Sequence, residues 1–479
     1  VAFVIQQERY LTPFQHNSYG ATIKLTSTWL KFLPATLRAK IEHRPNLQKT
    51  LSNIGWLFSD KILRMGMGLL VGVWIARYLG PEQFGLMNYA MAIVALFGAV
   101  ANLGLNGIVV RDLVREPEAA NTTLGTAFLL QFIGGLLAFG LAVVTVSFIR
   151  PDDSLVKLVV AVLGFAMVFK AVEVVKYWFE SQVQSKYIVW VESGIFLTLS
   201  IVKIGLVLAH ASLMAFVWAA FAESLLVAIG LLAVYAWRCG TLRAWQLRYA
   251  RAQTLLRDSW PLMFAGLAVM VYMRIDQIML GQMQGDEAVG MYSAAVRISE
   301  VWYFLPTAII ASVFPAIAAA KKLSEPLYYQ RMQRLYDLIV AISLGVAMTM
   351  TFLSGWLVTQ LYGAAYADAG PILAIHVWAG IFAFLGAASS HWFLLEDMVV
   401  HMFYRTALGA LVNITLNLIL IPDFGGQGAA VATLISYSVV AFWFDAFNRK
   451  SRRLFFIKVN SILLKGFYVR QTDTPSNHS

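Results

Sequence analysis

The chain has 479 residues, 59% hydrophobic and only 13% charged, with a mean hydropathy of +0.68. Soluble domains carry about a quarter charged residues, so this balance excludes a soluble enzyme and points to an all-α polytopic membrane protein. The net charge of +11 accompanies an excess of basic residues on one side of the membrane, so no nucleic-acid partner is expected, and the single cysteine, Cys239, excludes an internal disulfide or a cysteine metal cluster.

Residues 1–48 form a basic N-terminal tail. Seven Lys and Arg precede the first span, Arg38, Lys40 and Arg44 among them, and no apolar h-region of a cleavable signal is present. The chain opens on Val1 without a methionine before Met65, so residues 1–46 are given no functional weight; the segment reads as a cytoplasmic tail on the membrane surface. A helix needs about 20 apolar residues to cross a bilayer. Stretches of that kind run over 51–79, 84–109, 124–149, 155–176, 187–210 and 212–237, giving an N-terminal six-helix bundle over 49–237. A basic linker, 238–258, follows. Six more spans, 259–281, 288–318, 336–362, 369–395, 400–421 and 427–447, give a C-terminal bundle over 259–448, and a basic tail closes the chain at 449–479. The expectation is therefore twelve transmembrane helices in two six-helix bundles, since a barrel would show short alternating segments instead.

The distribution of Lys and Arg sets the orientation. With the N-terminus inside, 27 cations fall on cytoplasmic segments and two, Arg150 and Lys157, on the opposite side, which places both termini in the cytoplasm. Eight remain within or at the edges of spans: Lys61, Arg64, Arg77, Lys170, Lys203, Arg274, Arg297 and Arg405. An ionised group at membrane depth costs at least ~2.5–3.5 kcal/mol and normally faces a partner or a wet cavity. Within single helices Asp60 can meet Arg64, Lys170 can meet Glu173 and Arg297 can meet Glu300; Glu192 and Lys203 share one helical face. Lys61 and Arg77 sit near span ends and read as snorkelling anchors.

A weak duplication is visible. Gly80, Glu82 and Gly85 recur as Gly285, Glu287 and Gly290 at a constant shift of 205 residues, and Trp178-Phe179 recurs as Trp392-Phe393. Six plus six spans joined by a cytoplasmic linker means that both halves enter from the same side, as parallel repeats with a cavity between them. Pro261, Pro306, Pro315 and Pro371 are expected to kink their helices. Tyr177, Trp178, Phe179, Trp392 and Phe393 are expected in an interfacial aromatic belt.

The residues LSNIGWLFSDKILRMGMGLLVGVWIARYLGPEQFGLMNYA (51–90), YMRIDQIMLG (272–281) and NLILIPDFGGQGAAVATLISYSV (417–439) resemble Wzx-type polysaccharide flippases. Those belong to the superfamily that also holds the MATE exporters and the lipid II flippase. The resemblance covers about 47–448 and rests on dispersed patterns. It implies a MATE-like fold and movement of an undecaprenyl-diphosphate-linked oligosaccharide to the outer leaflet by alternating access. It also implies the bacterial cytoplasmic (inner) membrane as location, and partnership with the polymerase and chain-length regulator of one surface-polysaccharide pathway (O-antigen, capsule or exopolysaccharide). A diphosphate calls for cations, and arginine's planar fork binds it bidentately. Arg64, Lys203, Arg274, Arg297 and Arg405 are thus the candidate diphosphate-binding residues, against the alternative that each is neutralised by a neighbouring acid. No cofactor or metal is expected. Proton or sodium coupling would need a carboxylate at depth, for which Asp60, Glu173, Asp276 and Glu300 are the candidates.

An integral polymerase or ligase would need a sizeable outer loop bearing Arg and His. Here the outer connections, such as 80–83, 209–212 and 282–288, are only a few residues long, so no enzyme is expected. A MATE-type drug exporter is the nearer alternative, but its cationic cargo would favour a cavity of acids and aromatics.

Overall fold

The computed structural model describes residues 45–463 apart from Asp397; most of the N-terminal tail and the end of the C-terminal tail lie outside the described residues. Every regular element among the described residues is helical. Hydrocarbon offers no partner to a free N–H or C=O, so an open chain in lipid must satisfy its backbone within each helix.

Ten helical stretches among the described residues are long and apolar enough to cross a membrane. Two of them, Gly55–Arg115 and Val400–Phe447, would run to about 90 Å and 70 Å at ~1.5 Å per residue, far beyond a single crossing. Each is broken at a glycine. Gly80 (φ 74°, ψ 171°) interrupts Pro45–Asn102, and Gly425 (φ 51°, ψ −130°) interrupts Val399–Ser438. Both breaks fall between spans that the sequence separates. By contrast, the helices Tyr249–Met283 and Phe304–Leu323 run on through Pro261 and Pro315. Proline removes one helical hydrogen bond but keeps φ negative, whereas a residue at positive φ reverses the chain.

Gly285 (φ 87°, ψ 179°) joins Tyr249–Met283 to Asp286–Glu300 and has nearly the backbone of Gly80, its counterpart 205 residues earlier. The two turns lie against each other. A Cβ on Gly85 would fall 1.7 Å from the Asp286 carbonyl oxygen, and one on Gly290 would fall 2.0 Å from that of Pro81. Pro81 and Asp286 are themselves related by the same shift, so the contact is reciprocal, as across a two-fold axis. This crossing closes one end of the molecule. Phe84, Leu86, Val289 and Met291 pack around it in a buried cluster that draws on residues from Val71 to Ala430.

Two further clusters stand apart. One gathers residues between Leu105 and Leu255, the other residues between Ile310 and Ile457. Large apolar side chains such as Phe148, Phe352 and Phe447 are more than 80% exposed, as lipid-facing residues are. Of the five residues expected in an aromatic belt, Tyr177, Phe179, Trp392 and Phe393 are instead buried within these clusters, while Trp178 is half-buried. Neighbouring helices cover them, and Tyr177 accepts a 3.0 Å hydrogen bond from Gln131. Within the expected basic C-terminal tail, Arg452–Ile462 is a helix packed on Glu325–Tyr362. Its Lys458 is fully buried, with Nζ 2.5 Å from both Asp445 Oδ2 and the Ala441 carbonyl, the latter in a π-helical turn.

Candidate functional site

On one side of the crossing, the two arms of Pro45–Asn102 stand off from Tyr249–Met283 and Asp286–Glu300 and enclose a cavity of about 440 Å³. Its polar lining is Arg64, Asn88, Arg274, Gln277, Ser293, Arg297 and Glu300, set among Met65, Leu69, Met91 and Val296. Three guanidinium groups and one carboxylate line it, with Asp60 and Glu192 directly behind Arg64. Arg64 and Arg274 each keep 30% of their side chains exposed.

The three arginines are held differently. Arg64 donates from Nε to Asp60 Oδ1 at 2.8 Å, and its Nη2 lies 3.3 Å from Glu192 Oε2. Ser193 donates to the same Asp60 oxygen, while Lys176 bridges Glu192 (2.5 Å) and Glu173 (3.4 Å). Arg274 meets Glu300 only at 3.8 Å. Arg297 makes no ion pair among the described residues; its guanidinium lies 5.5 Å from the Phe84 ring centroid. Helical side chains lean toward the N-terminus of their own helix, which carries Arg297 toward the crossing and away from Glu300. It passes over Gly72, where a Cβ would stand 2.2 Å from Arg297 Nη1. Gly72→Val is therefore expected to displace that guanidinium and weaken anion binding about as much as Arg297→Ala. Titration with inorganic pyrophosphate checks this: the two changes combined should add little to either alone, a non-additivity of about 0.5–3 kcal/mol.

A second polar group lies buried in the C-terminal half, on the same helix as Arg274. Asp276 is 3% exposed; its Oδ1 accepts from Asn417 (2.8 Å) and its Oδ2 from Tyr292 (2.7 Å) and Thr433 (2.6 Å). Asn417 also donates to Asn413 Oδ1 at 3.0 Å, and its own Oδ1 is buried without a partner. Turning the Asn417 amide over would set an oxygen in place of its NH2 beside the carboxylate. The cluster would then offer carboxylate, amide and hydroxyl oxygens, the ligand set of a hard cation. A proton on Asp276 would serve the same charge balance. No group of three or more His, Cys, Asp and Glu that could hold a metal occurs among the described residues.

The remaining candidates lie outside the cavity lining. Lys203 pairs with Glu223 at 2.6 Å rather than with Glu192, and Lys170 donates to the Gly98 carbonyl rather than to Glu173. Glu173 sits beside Lys176. Arg405 is 4% exposed, donates to Ser390 Oγ at 3.1 Å and lies 5.0 Å from the Phe393 ring centroid. The structure thus brings Arg64, Arg274, Arg297 and Glu300 together, with Asp60 directly behind Arg64. Sequence reasoning missed Asn88, Gln277 and Ser293 in the lining and Asn413, Asn417 and Thr433 around Asp276. The i, i+4 spacing of Asn413 and Asn417 was the available signal.

Residues 50–321 match the family model described as polysaccharide biosynthesis protein. The probable flippase AglR of Haloferax volcanii is 24% identical over 397 residues, covering 80% of each chain. Among solved structures, the inward-facing conformation of a multidrug resistance MATE family transporter of the MOP superfamily is similar with a TM-score of 0.63 at 14% identity, over 86% of this chain and 96% of that one. The inward closed conformation of the lipid II flippase MurJ is similar with a TM-score of 0.63 at 15% identity, over 89% of this chain and 94% of that one. These likenesses establish the MATE-like fold of a multi-pass membrane protein.

Proposed function

The chain belongs to the polysaccharide biosynthesis protein family, and from that premise we propose that it is a flippase moving a lipid-linked oligosaccharide between leaflets. It is a transporter rather than an enzyme. On this reading the cargo is an undecaprenyl-diphosphate-linked unit for O-antigen, capsule or exopolysaccharide, carried across a bacterial inner membrane to a polymerase and its chain-length regulator. Each of the two over-long helical stretches counts as two spans, giving twelve in two bundles, 49–237 and 259–448, with both termini cytoplasmic. The halves rock about the crossing, and the cavity faces the cytoplasm while the crossing is closed.

The observation that carries the reading is Arg297 in the cavity lining, outside any ion pair among the described residues. A drug exporter for cations would have no use for that charge, whereas a diphosphate ester needs it. Arg64 and Arg274, already facing acids, serve as further cations around the headgroup; Lys203 and Arg405 lie outside the lining.

Deleting the gene should leave lipid-linked oligosaccharide on the cytoplasmic leaflet, and expression of this chain should clear it. A hydrogen bond to a charged group contributes about 1.5–3 kcal/mol, so Arg297→Ala should weaken pyrophosphate binding on the order of 10- to 100-fold. Arg297→Lys keeps the charge without the fork and should fall between. Intact glycan export with new sensitivity to cationic drugs in the deletion strain would favour the exporter reading instead.

A further inference from the structure

At the closed end, one side chain gathers contacts from both halves. Arg150 follows the helix Ala120–Ile149, in the short turn that leads to Ser154–Phe165. Its Nη2 donates to Asp286 Oδ1 at 2.7 Å and to the Gly281 carbonyl at 2.6 Å, and its Nη1 donates to Asp286 Oδ2 at 2.9 Å. Its guanidinium also lies 4.1 Å from the centroid of the Tyr89 ring, whose hydroxyl accepts from Gln282. The acid and the carbonyl belong to the second half, the arginine and the tyrosine to the first. Burial disfavours the Arg150 charge, but its bonds to Asp286 outweigh that and hold its pKa above the usual arginine value.

We propose that Arg150 is the bar of a gate: it holds the cavity shut at the crossing end through Asp286 and Gly281, and those bonds break each time the cavity opens there. The proposal rests on the alternating-access reading above. Bidentate charge-assisted bonds are among the stronger polar contacts available, which suits a closure that must hold off water. Both partners nevertheless retain some exposure, 13% and 15% of their side chains, so water can resolvate them as they part. Tyr89 travels with Arg150 in the first half, so the guanidinium keeps its aromatic contact in the open state. The Gly85 and Gly290 backbone contacts supply fit, and Arg150 supplies a polar tie that can be remade.

The test uses the full chain with Cys239→Ser, which removes the only cysteine, and Ser293→Cys in the cavity lining. A membrane-impermeant maleimide is added from outside to intact cells or spheroplasts. With the gate intact, outside labelling should be low. Arg150→Ala or Asp286→Asn should raise it about tenfold or more, Arg150→Lys should raise it less, and Arg150→Asp combined with Asp286→Arg should bring it back down. Labelling that stays at the starting level in both single variants overturns the proposal. Should Arg150→Ala not accumulate, Asp286→Asn keeps the shape of the acid and carries the test alone. The readout is independent of the cargo, so a failed flippase assay with raised labelling would count against the cargo and not against the gate.

Discussion

Gly290→Ala is expected to destabilise the protein by more than about 4 kcal/mol, far beyond an ordinary surface change. The added methyl would sit 2.0 Å from the Pro81 carbonyl oxygen and 2.8 Å from its carbon. Both atoms are backbone, so no side chain can swing aside; the two turns must part, and Phe84, Leu86, Val289 and Met291 lose their packing with them. Gly66→Ala is the control. Nothing lies within 4 Å of a Cβ there, and replacing a helical glycine should gain about 0.5–1 kcal/mol. Melting of the detergent-solubilised variants reads the difference. Equal melting temperatures would mean that the crossing is looser than its geometry implies.

The elements of that crossing were legible before the fold was. Gly80 with Gly85 and Gly285 with Gly290 marked a repeated unit by their constant shift, whereas the positive φ with extended ψ that only glycine accepts at no steric cost shows in the fold alone. What sequence spacing could not convey is that the two copies touch, since a repeat shows that two segments are alike and not that they meet. The cavity was partly legible for a related reason. Charges at membrane depth must face water or a partner, so Arg64, Arg274, Arg297 and Glu300 were visible against an apolar background.

Their pairing was not legible. Local spacing suggested Arg297 with Glu300, but Arg297 leans along its helix toward Gly72 and Phe84 and leaves Glu300 to Arg274 on the neighbouring helix. Lys203 and Glu192 likewise share a helical face yet find partners on other helices, Glu223 for one and Arg64 with Lys176 for the other. Neutral lining residues such as Asn88 and Ser293 give no charge signal at all. Arg150 was read only as one of two cations on the outer side, because nothing in a loop position discloses which acid a guanidinium will reach.

The second large effect concerns Asp276, and its two variants should separate two roles. Asp276→Ala leaves Asn417, Thr433 and Tyr292 with donors facing a void, at about 1–3 kcal/mol each, so this variant should accumulate poorly. Asp276→Asn fills the same space and can still accept from some of these donors, but it carries no charge to hold a proton or a cation, so it should fold. If Asp276 is the coupling carboxylate, glycolipid translocation by Asp276→Asn should no longer respond to an imposed ion gradient, while pyrophosphate binding at Arg297 stays near wild type. Melting in sodium chloride against choline chloride at equal ionic strength identifies the ion. A cation bound only to the folded state adds about 2.7 kcal/mol at a hundred times its Kd, an increment expected in the wild type and absent in Asp276→Asn. A proton would leave melting indifferent to sodium and make transport follow an imposed pH gradient. Wild type and Asp276→Asn matching in melting and in response to both gradients would reduce Asp276 to a structural tie between Tyr249–Met283 and Val399–Ser438. The coupling carboxylate would then have to be sought among the remaining candidates, Asp60, Glu173 and Glu300.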